Sequence, residues 1–112
     1  MCIFCDIISG KIPSEILYQN ESIAAFRDIN PQAPTHILIV PRKHIASLDQ
    51  LTPEDRPLVA EMIAAAGELA QREGVAEKGY RVVINCGEWG GQVVPHLHLH
   101  LLGGWPLSGN IG

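Results

Sequence analysis

A chain of 112 residues, 46% hydrophobic and 18% charged, is sized for one domain, residues 1–112, of ordinary soluble composition. Its net charge of −4 argues against the broad basic surface that duplex nucleic acid demands, but leaves room for a small nucleotide in a local pocket. No apolar run reaches the roughly 20 residues of a membrane span, the opening Met1-Cys2-Ile3-Phe4-Cys5-Asp6 lacks the basic and long apolar stretches of a signal peptide, and three cysteines fit a reduced compartment, so a cytoplasmic protein is expected.

In chain order, residues 4–9 predict a short helical turn closed by Gly10. Residues 15–19 and 23–27 predict two short strands, with Asn20-Glu21 as the hairpin turn. Asn30-Pro31-Gln32-Ala33-Pro34 predicts a loop. Thr35-His36-Ile37-Leu38-Ile39-Val40 predicts a strand buried on both faces and stopped by Pro41, and residues 44–48 a further helical turn. The long helix has the clearest signals: Thr52 as cap, Pro53 at the first helical position and Asp55 where a capping-box acid stands. Its apolar stripe is Leu58, Val59, Met62, Ile63, Ala66, Leu69 and Ala70, and Gly74 ends it; Pro57 is expected to delay the regular helix. Residues 80–85 predict a strand, 87–91 a glycine-rich loop and 96–102 the last strand. Strands, one main helix, then strands predict an α+β fold with a mostly antiparallel sheet of five strands.

The last strand carries most of the functional information. In His96-Leu97-His98-Leu99-His100-Leu101-Leu102, three imidazoles fall on one face of an extended chain and leucines on the other. A row of imidazoles serves packing poorly, and histidine suits proton transfer, nucleophilic attack or metal ligation near neutral pH. Three readings stand: a structural row, a metal tripod, or nucleophilic catalysis at a phosphorus or acyl centre, with His36 joining from across the sheet. The surroundings favour phosphate chemistry. Gly90-Gly91-Gln92-Val93 offers backbone N–H groups to a phosphate. Asn85 is placed either to donate to the same group or to cap a turn. Asp28 offers a carboxylate for a ribose diol, with Phe26 and Ile29 beside a base; alone, it reads as a solvated loop aspartate.

The row matches the His-φ-His-φ-His-φ-φ signature of the histidine-triad superfamily, where φ is apolar. Residues 26–36, Pro41-Arg42-Lys43-His44-Ile45, Gly79-Tyr80-Arg81-Val82-Val83 and Leu102-Gly103-Gly104-Trp105-Pro106 also resemble that family, so the likeness runs over essentially the whole chain. Within it, the chain is similar to the nucleotide-binding branch, whose members hydrolyse purine nucleoside phosphoramidates; the Gly103-Gly104 pair favours that branch. The resemblance implies His98 as the nucleophile that becomes transiently nucleotidylated, His100 as its phosphate-side helper and His36 as the residue that orients them. It implies Asp28 on the ribose, Ile3, Phe4, Ile7, Phe26 and Ile29 around the base, and Asn85, Gly91, Gln92 and the backbone at Val93 around the phosphate. The chain departs from the family at Val93, commonly serine, and this is expected to weaken leaving-group assistance or alter substrate preference.

Cys2-Ile3-Phe4-Cys5 has zinc-ligand spacing. The resemblance completes the set with His44 and His96, a closed and therefore structural zinc site that leaves catalysis free of any cofactor; the other reading is two reduced cysteines without metal. Cys86 reads as a plain thiol. A homodimer with a sheet continued across its two-fold axis is expected, because so short a chain leaves a sheet face or edge needing cover and because the resembled branch pairs in that way. Three functions remain open: phosphoramidate hydrolysis releasing AMP or GMP, dinucleoside-polyphosphate hydrolysis or nucleotidyl transfer, and a nucleotide- or metal-binding regulatory module with incidental catalysis.

Overall fold

Seven buried residues in a row, Thr35–Pro41, make β3 the centre of the sheet in this computed structural model, which describes residues 2–111. β-Branched and leucine side chains on both of its faces require cover on both sides. Its neighbours are β2 (Ile23–Arg27) and β5 (Leu99–Gly103), with β1 (Ile16–Gln19) and β4 (Tyr80–Ile84) at the edges, in the order β1-β2-β3-β5-β4. Every pairing is antiparallel, giving one open five-stranded sheet in a single compact α+β domain. Leu38 lies opposite His100 and His36 opposite Leu102, so the two histidines are diagonal neighbours on one face.

The two faces are covered by different elements. Helix α2 (Arg56–Arg72) packs Met62, Ala65, Ala66, Leu69 and Ala70 against Ile37, Ile39, Leu97, Leu99 and Leu101. The short helix α1 (Ile3–Ile8) packs Phe4 and Ile7 against Ala24, Phe26, Leu38 and Val40 on the opposite face. Leu97, Leu99 and Leu101 thus anchor the α2 side, and the imidazoles of His98 and His100 point to the α1 side. Arg27 ties β2 to the end of α2 through a two-pronged ion pair with Glu73, at 2.8 and 2.9 Å. No helix among the described residues is long and apolar enough to cross a membrane.

Three local expectations are corrected. The last strand begins at Leu99, not at residue 96. Pro95 has no N–H to give, and the Leu97 N–H goes to the Ile45 carbonyl at 2.7 Å, so this segment pairs with the chain leaving β3 before it joins the ladder. For the same reason the helical turn expected at residues 44–48 does not form over 44–47; a 3₁₀ turn follows instead at Leu48–Gln50. Ile63, assigned to the buried stripe, is 53% exposed, while Ala65 occupies the core face. The Thr52/Asp55 capping box is present around a 3₁₀ turn at Pro53–Asp55, and the regular helix starts only at Arg56, with Pro57 in its first turn. Gly74, at φ +76°, follows the end of α2 as expected.

Candidate functional site

The α1 face of the sheet holds a cavity of about 480 Å³, and its walls are mostly apolar. Ile3, Phe4, Ile7, Phe26, Asp28, Ile29, His36, Asn85, Gly91, Val93, His98 and His100 all line it. The residues singled out from the sequence for nucleotide binding and chemistry therefore meet there, except Gln92. Its amide is spent on the loop: Oε1 accepts from the Gly87 N–H, and Nε2 donates to the carbonyls of Ala46 and Val94. Asn85 likewise donates to the Gly90 carbonyl at 2.8 Å. The loop is tightly folded at Gly90, where a Cβ would stand 2.3 Å from the Cys86 carbonyl oxygen, and Gly91 has φ +82°. Val93 stands at the rim, 88% exposed. The sequence reading missed Ile12, Pro13, Leu38 and Val94 in the wall; the strand alternation of β3 was the signal that places Leu38 beside His36.

Hydrogen bonds fix the tautomers, because a backbone N–H can only donate and a carbonyl can only accept. The Gln32 N–H donates to His36 Nδ1 at 3.0 Å, so a neutral His36 carries its proton on Nε2. That proton goes to His100 Nδ1 at 2.9 Å, leaving His100 Nε2–H for a ligand. His98 Nδ1–H donates to the His96 carbonyl at 2.7 Å, so its Nε2 keeps a free lone pair. One Asp28 oxygen accepts from the Asn30 N–H at 2.8 Å and the other lies 3.5 Å from His36 Nε2. The arrangement offers one nucleophilic nitrogen beside one N–H donor, with ring centroids 4.9 Å apart.

Burial holds His100 down to about 4, helped by the neighbouring His98 and His36 and opposed by Asp28. Burial also lowers His36, against the pull of Asp28. Below the ordinary histidine value of 6.5 the unfolded chain binds a proton that folded His100 refuses until about 4. This contribution to stability is therefore complete above that value and lost as pH falls to about 4. Thermal unfolding should show a Tm that drops across this window, and His100→Asn should flatten the drop; an unchanged slope in the variant would remove His100 as its cause.

His96 stands apart from its two fellows. Its Nε2–H donates to the Pro41 carbonyl at 2.9 Å, and its Nδ1 lies 3.2 Å from the Cys2 sulfur and 3.6 Å from that of Cys5. His44 Nδ1 is 3.4 Å from the Cys5 sulfur. The ligand atoms of Cys2, Cys5, His44 and His96 all lie within 4.8 Å of one another. A tetrahedral zinc with ordinary Zn–S and Zn–N bonds spaces its sulfur and nitrogen ligands about 3.5 Å apart, so the four residues fit such an ion. Asp28, His36 and His100 form a second group of possible ligands, but two of its nitrogens already share a proton. Among the described residues no cluster joins His96, His98 and His100 as the metal tripod.

Residues 9–107 match the HIT domain model. The chain is 50% identical over 106 residues to the purine nucleoside phosphoramidase of Escherichia coli K12, covering 95% of this chain and 89% of that one. A HIT family hydrolase from Legionella pneumophila superposes with a TM-score of 0.96 at 48% identity, over the full length of both chains. A histidine triad nucleotide-binding protein from Candida albicans gives 0.81 at 34% identity, covering 99% of this chain and 87% of that one. The fold and the imidazole-lined cavity define a histidine-triad protein, and the chain belongs to the HIT family.

Proposed function

We propose that this protein hydrolyses purine nucleoside 5'-phosphoramidates, releasing AMP or GMP through a nucleotidyl-histidine intermediate. The observation that carries the reading is His98, whose ring is locked with Nε2 free inside an apolar cavity; the likeness to a relative named for this activity supports it. The purine lies between Ile3, Phe4, Ile7, Phe26 and Ile29, the ribose hydroxyls donate to Asp28, and the phosphate meets the N–H groups around Gly91 and Val93. His98 Nε2 attacks phosphorus, a P–N bond to the ring forms, and the bond to the substrate nitrogen breaks as the amine departs with a proton taken from solvent at the open rim beside Val93. His100 Nε2–H donates to a phosphate oxygen while His36 holds the His100 tautomer. Water then forms a P–O bond as the bond between phosphorus and His98 Nε2 breaks; the nucleoside monophosphate leaves, and the proton released by water replaces the one the amine carried away. Incubation with an AMP-linked amine tests the reading: steady release of AMP supports it, and an intact substrate contradicts it.

The same reading places a structural zinc on Cys2, Cys5, His44 and His96, cross-linking three segments with no bond to substrate. Elemental analysis of protein purified without added metal should find close to one zinc per chain, and Cys5→Ser should lose most of it. A content near zero that added zinc leaves unchanged would remove the site. The domain takes up the whole of residues 1–112 and pairs as a homodimer. Tyr80 and Val82 on edge strand β4 are 41% and 40% exposed, and Ile63 is exposed on α2, where the Tyr80 hydroxyl lies over Gly67. An apolar strip on an unpaired edge favours a second copy there. Sedimentation should give twice the chain mass, and Val82→Lys the monomer mass; a monomeric parent would contradict the pairing.

A further inference from the structure

Helix α1 takes part in two sites at once. Cys2 is its N-cap and Cys5 lies in its first turn, both facing the imidazoles of His44 and His96. Phe4 and Ile7, alternating with those sulfurs, are buried and line the cavity. The Phe4 ring stands edge-on to His98, Phe26 and His96, with centroids 5.0, 5.5 and 5.8 Å away. Six residues are far too few to hold a helix in water without outside support. Its N-cap acceptor is a sulfur 3.4 Å from the Cys5 N–H, a weak substitute for an oxygen. The large core beneath α2 contains no α1 residue, so α1 can loosen without unfolding the sheet.

His96 links the two sites a second time. Its Nδ1 faces the cysteine sulfurs, its Nε2–H is fixed on Pro41, and its carbonyl accepts the Nδ1–H of His98. Whatever fixes His96 and the two cysteines therefore fixes both the cavity wall at Phe4 and the ring orientation of His98.

We propose that Cys2, Cys5 and His44 are positioning residues for the nucleotide: a zinc-type cation held by them and His96 clamps α1 over the cavity and raises its affinity for a purine nucleoside monophosphate. This rests on the nucleotide and zinc readings above. Linkage makes the effect mutual, so bound nucleotide tightens the cation by the same factor. The clamp differs from a remote staple in this respect, since a staple would leave the two affinities independent.

AMP binding is measured by calorimetry on zinc-loaded and chelator-treated protein, with circular dichroism checking that both are folded. The expected result is at least about fivefold weaker AMP binding without zinc, the lower end of ordinary coupling between sites. With cobalt(II) in place of zinc, the sulfur-to-cobalt absorption band reports cation affinity, which AMP should strengthen by a matching factor. His44 is exposed, so His44→Ala tests the clamp without opening a core; it should weaken AMP, and His44→Cys, which keeps a ligand, should restore it. AMP affinities equal within twofold in both folded forms would overturn the clamp while leaving the other two readings standing. Protein that takes up no cation overturns it together with the zinc reading, and protein that binds no AMP in either form overturns it together with the nucleotide reading.

Discussion

Replacing His98 by alanine is expected to cut release of AMP from an AMP-linked amine by at least about 10⁴-fold, on the scale of removing a covalent nucleophile. AMP binding should remain measurable, because the residues proposed to hold the base and ribose lie on α1, β2 and the segment that follows β2. The size of the effect follows from the hydrogen bonds. Of the three triad imidazoles, His96 has Nε2 tied to Pro41 and Nδ1 turned to the cysteines. His100 has Nδ1 occupied by the proton of His36. His98 alone turns an unprotonated nitrogen into the cavity, and no neighbour can replace it without breaking its own hydrogen bonds. His36→Ala should be milder, since it frees the His100 tautomer but leaves the attacking nitrogen intact. Rates are read from AMP formation and binding from calorimetry; a His98→Ala protein at the parent's rate would refute the assignment.

Leu99→Ala should lower unfolding stability by about 2–5 kcal/mol, the usual range for truncating a fully buried leucine. Leu99 has no exposed surface and packs in the core under α2, together with Leu97, Leu101, Ile37 and Ile39. It pairs with Ile39 and Ile84 on the two flanking strands, so the space it leaves cannot be closed from one side. It also separates His98 from His100, so the loss should reach the site as well as the core. Urea unfolding measures it: a shift below about 0.5 kcal/mol, ordinary for a surface site, would mean that the leucine face is not what seats the histidine row.

Those two substitutions show what the sequence discloses and what it does not. The alternation of leucine and histidine is legible because period two has one structural meaning, and it holds even ahead of β5, through the bend at His96 and at His98. The start of β5 is not legible, because it depends on the Leu97 N–H finding Ile45 more than 50 residues away in the chain. The long helix is legible in its cap and stripe, yet the stripe misplaces Ile63, whose side of the helix follows from where the sheet lies. The Cys2/Cys5 spacing suggests a metal, but spacing cannot bring His44 and His96 to it; the fold of the segment after β3 does that. Least legible of all is which nitrogen of each imidazole carries the proton. It is set by the Gln32 N–H and by the carbonyls of His96 and Pro41, main-chain groups that carry no sequence signature. Gln92 reads as a phosphate ligand by its place in a glycine-rich loop, whereas its amide braces that loop from behind.

The central claim is a covalent bond between nucleotide and His98, and trapping that bond tests it most directly. Protein mixed with a purine nucleoside phosphoramidate, quenched within a single turnover and mapped by peptide mass spectrometry should carry one nucleotidyl group on the peptide containing His98. The group should disappear on the time scale of AMP release and never form in His98→Ala. Full-rate AMP release with no adduct on any histidine, accompanied by inversion of configuration at a chiral phosphorus, would show direct attack by water and contradict the account.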